Sequence, residues 1–241
     1  NVLKTASIAY GRPVEGDARP EQLGTSVVYS ESDVTNVADS STSYRLGVPV
    51  ESRTYEVTGL SGAATSPITP AALVDHIAGA DIIPYEEGPD DSPQLRLLSR
   101  VQQYYYADNL LSRLSLGAVG ERALPYETLS LAFNQAQLDD ILDTKLTGLA
   151  LDTEGGYREE DTFWWHPSGR VEFDADHFYR VKTSRDIFDN VTTFAYDAHD
   201  LLLESATAPL GNVVSVTNDY RVLAPKLVTD PNGNRQTVAF D

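Results

Sequence analysis

The feature that most constrains this 241-residue chain is a recurrence in its C-terminal part. Asn190, Asn212 and Asn234 stand 22 residues apart, and so do Asp197, Asp219 and Asp241. Between the last two units Leu201 matches Leu223, Thr207 matches Thr229, Pro209 matches Pro231 and Gly211 matches Gly233. A fixed period with turn residues in phase marks a stacked or wound architecture. Ala208-Pro209-Leu210-Gly211 and Asp230-Pro231-Asn232-Gly233 read as β-turns, because proline presets φ at the second position and glycine accepts a left-handed conformation after it. A strand leaves each turn, with Phe194 and Tyr196 sharing a face in the first unit; Val216 and Val238 take the place of Phe194, and Phe240 that of Tyr196. A strand–turn–strand of this size cannot bury its apolar face alone, so it needs neighbours in a continuing sheet.

Residues 1–150 show no such repeat and read as strands with short helical insertions, whereas residues 151–241 form the repeat segment. Val2, Ala6, Ile8 and Tyr10 alternate onto one face, and 25–30 and 50–58 are rich in β-branched and aromatic residues. The polar stretch 33–43 between them is expected to be a loop. Thr69 caps and Pro70 opens a helix that runs to Gly79. After a charged loop at 86–93, strands are expected at 96–106 and 126–133, the second leading into a short helix at 135–142. Trp164 and Trp165 are expected to be buried anchors.

Candidate chemistry is sparse. His76, His166, His177 and His199 lack metal-site spacing, and the absence of cysteine excludes disulfides and thiolate ligands. Glu159-Glu160-Asp161 and Asp174-Ala175-Asp176 flank aromatic residues as glycosidase carboxylates do, yet read better as solvated loops. Asp230-Pro231-Asn232-Gly233-Asn234 resembles the start of a calcium loop, but its glycine falls at the fourth place instead of the sixth. No catalytic, cofactor-binding or metal-binding residue is therefore assigned, and the chain is expected to be non-enzymatic and to need no cofactor. A formal charge of −18 disfavours nucleic acid and anionic membranes as partners. No run of the sequence reaches the roughly 20 apolar residues of a membrane span. The lack of methionine and the strand-like ends lead to the expectation that the chain is a piece of a larger protein.

Tyr196-Asp197, Pro209-Leu210-Gly211-Asn212, Asn218-Asp219-Tyr220-Arg221-Val222-Leu223 and Val228-Thr229-Asp230-Pro231-Asn232-Gly233-Asn234-Arg235 resemble Rhs/YD repeats. More narrowly, they are similar to those of the TcB subunit of bacterial insecticidal toxin complexes. The resemblance extends upstream through Trp164-Trp165, Pro167-Ser168-Gly169-Arg170, Gly155-Gly156-Tyr157, Ala123-Leu124-Pro125-Tyr126-Glu127 and Arg53-Thr54-Tyr55-Glu56-Val57-Thr58-Gly59-Leu60. Asn218-Asp219-Tyr220 and Phe240-Asp241 depart from the usual Tyr-Asp. The resemblance implies a mainly β fold, an extended wound β-sheet of Rhs/YD-repeat shell type with a few short helices. It also implies a secreted shell wall that encloses a cytotoxic cargo, built with a TcC-like partner and delivered through a TcA-like pore subunit. Acidic residues are then expected to line part of the lumen. The alternative is a YD-repeat cell-surface module that contacts glycans or proteins through exposed Tyr104, Tyr105, Tyr106, Trp164 and Trp165.

Overall fold

Cross-strand pairing organises the described residues into two sheets, antiparallel except for one short strand, beside which lie three short helices. The structure, a computed structural model, describes residues 3–11, 24–37, 43–60, 67–141, 145 and 148–241. The first sheet is built from β1 (Lys4–Ala9), β2 (Ser26–Val37), β3 (Arg45–Thr58), β4 (Asp81–Ile83), β5 (Gln94–Tyr105), β6 (Pro125–Asn134), β7 (Arg158–Glu160) and β8 (Phe163–Pro167). Its order is β1-β2-β3-β5-β6-β8-β7, and the short β4 runs parallel to the start of β5.

The register explains the main core. Val27 lies opposite Val57, Tyr29 opposite Tyr55, and Val57 opposite Leu95, so these side chains share one face. Helix α1 (Pro70–Ala78) covers that patch with Leu73. The helix starts where the sequence predicts: the Thr69 hydroxyl accepts the Ala72 N–H, Pro70 sits in the first turn, and the Gly79 N–H closes the end on Asp75. His76 bonds the Thr58 carbonyl at 2.7 Å and ties α1 to β3. The paired tryptophans are both buried. Adjacent residues of a strand point to opposite faces, so Trp165 joins Tyr104 and Leu129 while Trp164 joins Leu138 and Leu151. The latter two belong to α2 (Gln135–Ile141) and α3 (Gly148–Thr153).

One expectation is overturned. Residues 33–37, read as loop, complete β2, because their polar side chains find partners that the sequence does not display. Asp33 meets Arg53 at 2.8 Å, the Thr35 hydroxyl donates to the Gly117 carbonyl, and Asn36 accepts the Gly47 N–H. β3 likewise starts at Arg45, earlier than residue 50. Val2, residues 38–42 of the expected loop and Leu142 lie outside the described residues.

The second sheet is a meander of β9 (Arg170–Asp174), β10 (Arg180–Arg185), β11 (Val191–Tyr196), β12 (Leu203–Thr207), β13 (Val213–Asp219), β14 (Ala224–Thr229) and β15 (Arg235–Thr237). Two strands and two turns make up each 22-residue period. The change of sheet falls at Ser168-Gly169. There the Ser168 N–H bonds Thr128 O and the Ser168 hydroxyl accepts the Thr128 N–H. Tyr106 spans the corner, donating to the Val171 carbonyl and packing edge-on against Tyr126 and Phe173. Gly169 has φ +75°, and a Cβ there would lie 2.5 Å from the Arg185 carbonyl oxygen. Gly169→Ala should therefore cost about 2 kcal/mol or more, read as a lowered denaturant midpoint at unchanged slope. An unchanged midpoint would mean that the corner is not tightly set.

Candidate functional site

Two arrangements of polar side chains stand out, one in each sheet. The first is a belt that crosses the first sheet without interruption. Arg53 joins Glu31 (2.9 Å), Asp33 and Glu51. Glu51 also receives Arg100 (2.8 Å) and the Gln102 amide (2.9 Å), and the Tyr104 hydroxyl donates to Gln102. Arg113 lies over the Tyr104 ring at 4.2 Å and reaches Glu127 at 2.9 Å. Arg158 holds both oxygens of Glu127, and Glu160 closes the series against Arg113 and Arg158. Glu51 and Glu127 are buried, and each is shared by two arginines. Buried carboxylates are tolerated because each gains this pairing and hydrogen bonding; removing one partner would strand the other.

The second arrangement is the hairpin turn chemistry. The Asp230 carboxylate accepts the N–H groups of Asn232 (2.9 Å) and Asn234 (2.8 Å), while the Asn234 amide donates to its other oxygen at 2.7 Å. Asp186 makes the same clasp with Phe188 N–H, Asn190 N–H and the Asn190 amide, each at 2.9 Å. These bonds hold both carboxyls below the ordinary range, the asparagine amide contributing most. The equivalent place in the middle turn is Ala208. Its main-chain bonds to Asn212 and Gly211 survive, and Gly211 and Gly233 both have φ +83°. The loop geometry is thus conserved across the turns, a three-residue hairpin loop ending in a left-handed residue, and the middle clasp is absent.

At the opposite ends of the strands, Asp197 accepts the N–H groups of His199 and Leu201 on one oxygen and the Tyr220 hydroxyl, at 2.6 Å, on the other. Tyr220 comes from the following repeat, so this contact fastens consecutive units. Its hydroxyl depresses the Asp197 carboxyl to about 2 and is itself pushed up to about 12. His177 similarly meets Asp200 at 2.7 Å, alongside Arg180, and its pKa is raised by that carboxylate.

Most residues weighed for chemistry serve these contacts. The four histidines lie in separate structural settings: His76 on Thr58, His166 against the Tyr157 ring, His177 on Asp200 and His199 against the Tyr220 ring. Glu160 belongs to the ion-pair belt, and Asp174 turns the chain after β9 by accepting from Asp176, His177 and Tyr179. The loop that resembles a calcium site is the Asp230 clasp. Among the described residues no three His, Cys, Asp or Glu side chains gather as a metal would require. Tyr104, Tyr105, Tyr106, Trp164 and Trp165 are all buried, which leaves the sugar-platform alternative without its exposed row. Sequence reasoning missed the belt. It also missed the Asp186–Asp230 relation, whose signal was a spacing of two periods with Ala208 between.

Each sheet ends, among the described residues, on strands paired along one side only: β1 and β7 in the first, β15 and β9 in the second. No known protein-family profile matches the chain, and no characterised protein matches it in sequence. Among solved structures the fold is similar to part of the TcdB2-TccC3 crystal structure, at 19% identity over 99% of this chain with a TM-score of 0.71. TcdB2-TccC3-Cdc42 gives 19% identity over 99% with a TM-score of 0.68. The Tc holotoxin pore of Photorhabdus luminescens, with a TccC3 mutation, gives 21% over 99% and 0.69. In all three the chain spans 12% of the matched chain's length. At this identity the similarity establishes a shared fold.

Two outcomes follow from the turns. Ala208→Asp should complete the missing clasp and add about 1 kcal/mol, seen as a rise of about 2–4 °C in Tm; a fall would show that the middle turn excludes the carboxylate. Tyr220→Phe should move the Asp197 titration up from about 2 toward the ordinary 3.8, measured by carboxyl NMR. A carboxyl with a depressed folded pKa stabilises above its unfolded value and loses that contribution as pH falls through the folded one. In wild type the Asp197 contribution is therefore complete above about pH 4 and disappears toward pH 2.

Proposed function

We propose that this chain is a wall segment of a toxin-complex shell of the TcB–TcC type, which encapsulates a cytotoxic cargo and helps to deliver it. The observation that carries this reading is the similarity to TcdB2-TccC3, which runs over 99% of the chain. The half-paired outer strands support it, because an open sheet edge presents unpaired N–H and C=O groups and is completed by further strands. The Rhs/YD-like motifs of the sequence add to it: the aspartates and asparagines that carry the resemblance are residues that build the hairpin turns and fasten one repeat to the next. In this role the chain is secreted, does no chemistry of its own and binds no cofactor. Its partners are a TcC-like Rhs protein with its toxic segment and, through parts outside this chain, a TcA-like pore subunit.

The test is protease protection of the full-length protein assembled with its downstream partner chain. The partner's C-terminal segment is expected to survive digestion until the assembly is denatured. Its rapid loss from an otherwise intact complex would contradict an enclosing wall.

A further inference from the structure

The repeat sheet has two chemically distinct faces, and its register assigns every side chain to one of them. Residues directly opposite in an antiparallel pair share a face, as do residues two apart on one strand. Thr183 lies opposite Thr193, Thr193 opposite Thr207, Ser205 opposite Ser215 and Ser215 opposite Thr229. Thr217 and Thr237 both lie opposite Leu227, on the same side. One face therefore carries a serine or threonine on every strand from β10 to β15, with Val191, Ala195, Val213 and Leu227 as its apolar members and Arg185 and Arg235 as charged ones. The other face carries Phe194 opposite Ala206, Ala206 opposite Val214, and Val216 opposite Val228. Phe194, Val216 and Val228 are half-buried and Val214 is exposed; on the hydroxyl face Thr193, Ser215 and Thr217 are exposed while Thr183, Ser205, Thr207 and Thr229 are half-buried.

Acidic side chains do not decide between the faces in this segment. Asp174, Asp186, Asp197, Asp219 and Asp230 are spent at the turns, accepting N–H groups at the strand ends. On the strands themselves Glu172 lies on the hydroxyl face, opposite Thr183, whose hydroxyl it accepts at 2.8 Å.

We infer that the hydroxyl face is the one turned toward the enclosed polypeptide, with the valine–phenylalanine face turned outward. This rests on the wall reading above. A wall that must let its cargo leave cannot hold it through apolar contact, since each apolar side chain docked on the Phe194–Val214–Val216 face would slow departure roughly tenfold. Hydroxyls exchange hydrogen bonds with a passing backbone on nearly equal terms with water, so they keep the surface wet without holding the chain. The outward face tolerates its apolar residues because they shield one another along the strands.

The chain has no cysteine, which makes single-cysteine probes at these positions unambiguous within it. Ser215→Cys and Val214→Cys are neighbours on β13 with opposite facing, and Thr217→Cys with Val216→Cys repeats the comparison two residues on. In the full-length protein assembled with its partner chain, a polyethylene-glycol maleimide too bulky to enter a closed shell should modify Val214→Cys and spare Ser215→Cys. Both should react fully after denaturation. Reaction at Ser215→Cys with protection of Val214→Cys would overturn the orientation while leaving the shell intact. Reaction of both in the native assembly would remove the enclosing wall and this inference with it. Protection of both would overturn the claim that the apolar face points outward.

Discussion

A carboxylate that accepts main-chain N–H groups at a strand end is the interaction on which the repeat sheet depends. Asp186 and Asp230 close one edge of the meander by this means, and Asp197 does so at the other edge while also taking the Tyr220 hydroxyl from the next unit. A sheet that is one layer thick has few side chains with which to hold its strands in register. Among its residues only Asp197 is buried from β10 onward. Local turn bonds and the main-chain ladder must then supply what a core supplies elsewhere, which is why the acidic residues recur at fixed spacing.

The first sheet solves the same problem differently. Part of one face is a conventional apolar patch under α1, and the remainder is the belt from Glu31 to Glu160. Buried Glu51 and Glu127 contribute little net stability against an apolar equivalent, because desolvation offsets much of the attraction. They do fix the register: a slip of β3 by one residue would carry Glu51 and Arg53 together to the other face, away from Arg100 on β5 and Glu31 on β2. The corner at Ser168-Gly169, spanned by Tyr106, joins this ionic sheet to the turn-fastened one.

Local chemistry was legible in the sequence. The Pro209-Leu210-Gly211 and Pro231-Asn232-Gly233 turns, the Thr69-Pro70 helix start and the buried tryptophans all follow from residue types acting on their near neighbours. What was not legible depends on partners across the sheet. Asp33 and Asn36 look like loop residues until Arg53 and Gly47 are placed beside them. The belt is invisible for the same reason, since its bonded members are separated by as many as 51 residues. The repeat clasp was hidden by a single substitution, Ala208, which breaks the aspartate series at its middle member.

The central claim is that these sheets are continuous with others in a closed wall. Electron cryomicroscopy of the full-length protein with its partner chain tests it most directly. The account predicts a hollow particle in which the outer edge of β15 pairs with a further strand. A solid particle, or a β15 edge open to solvent in the assembled complex, would contradict it.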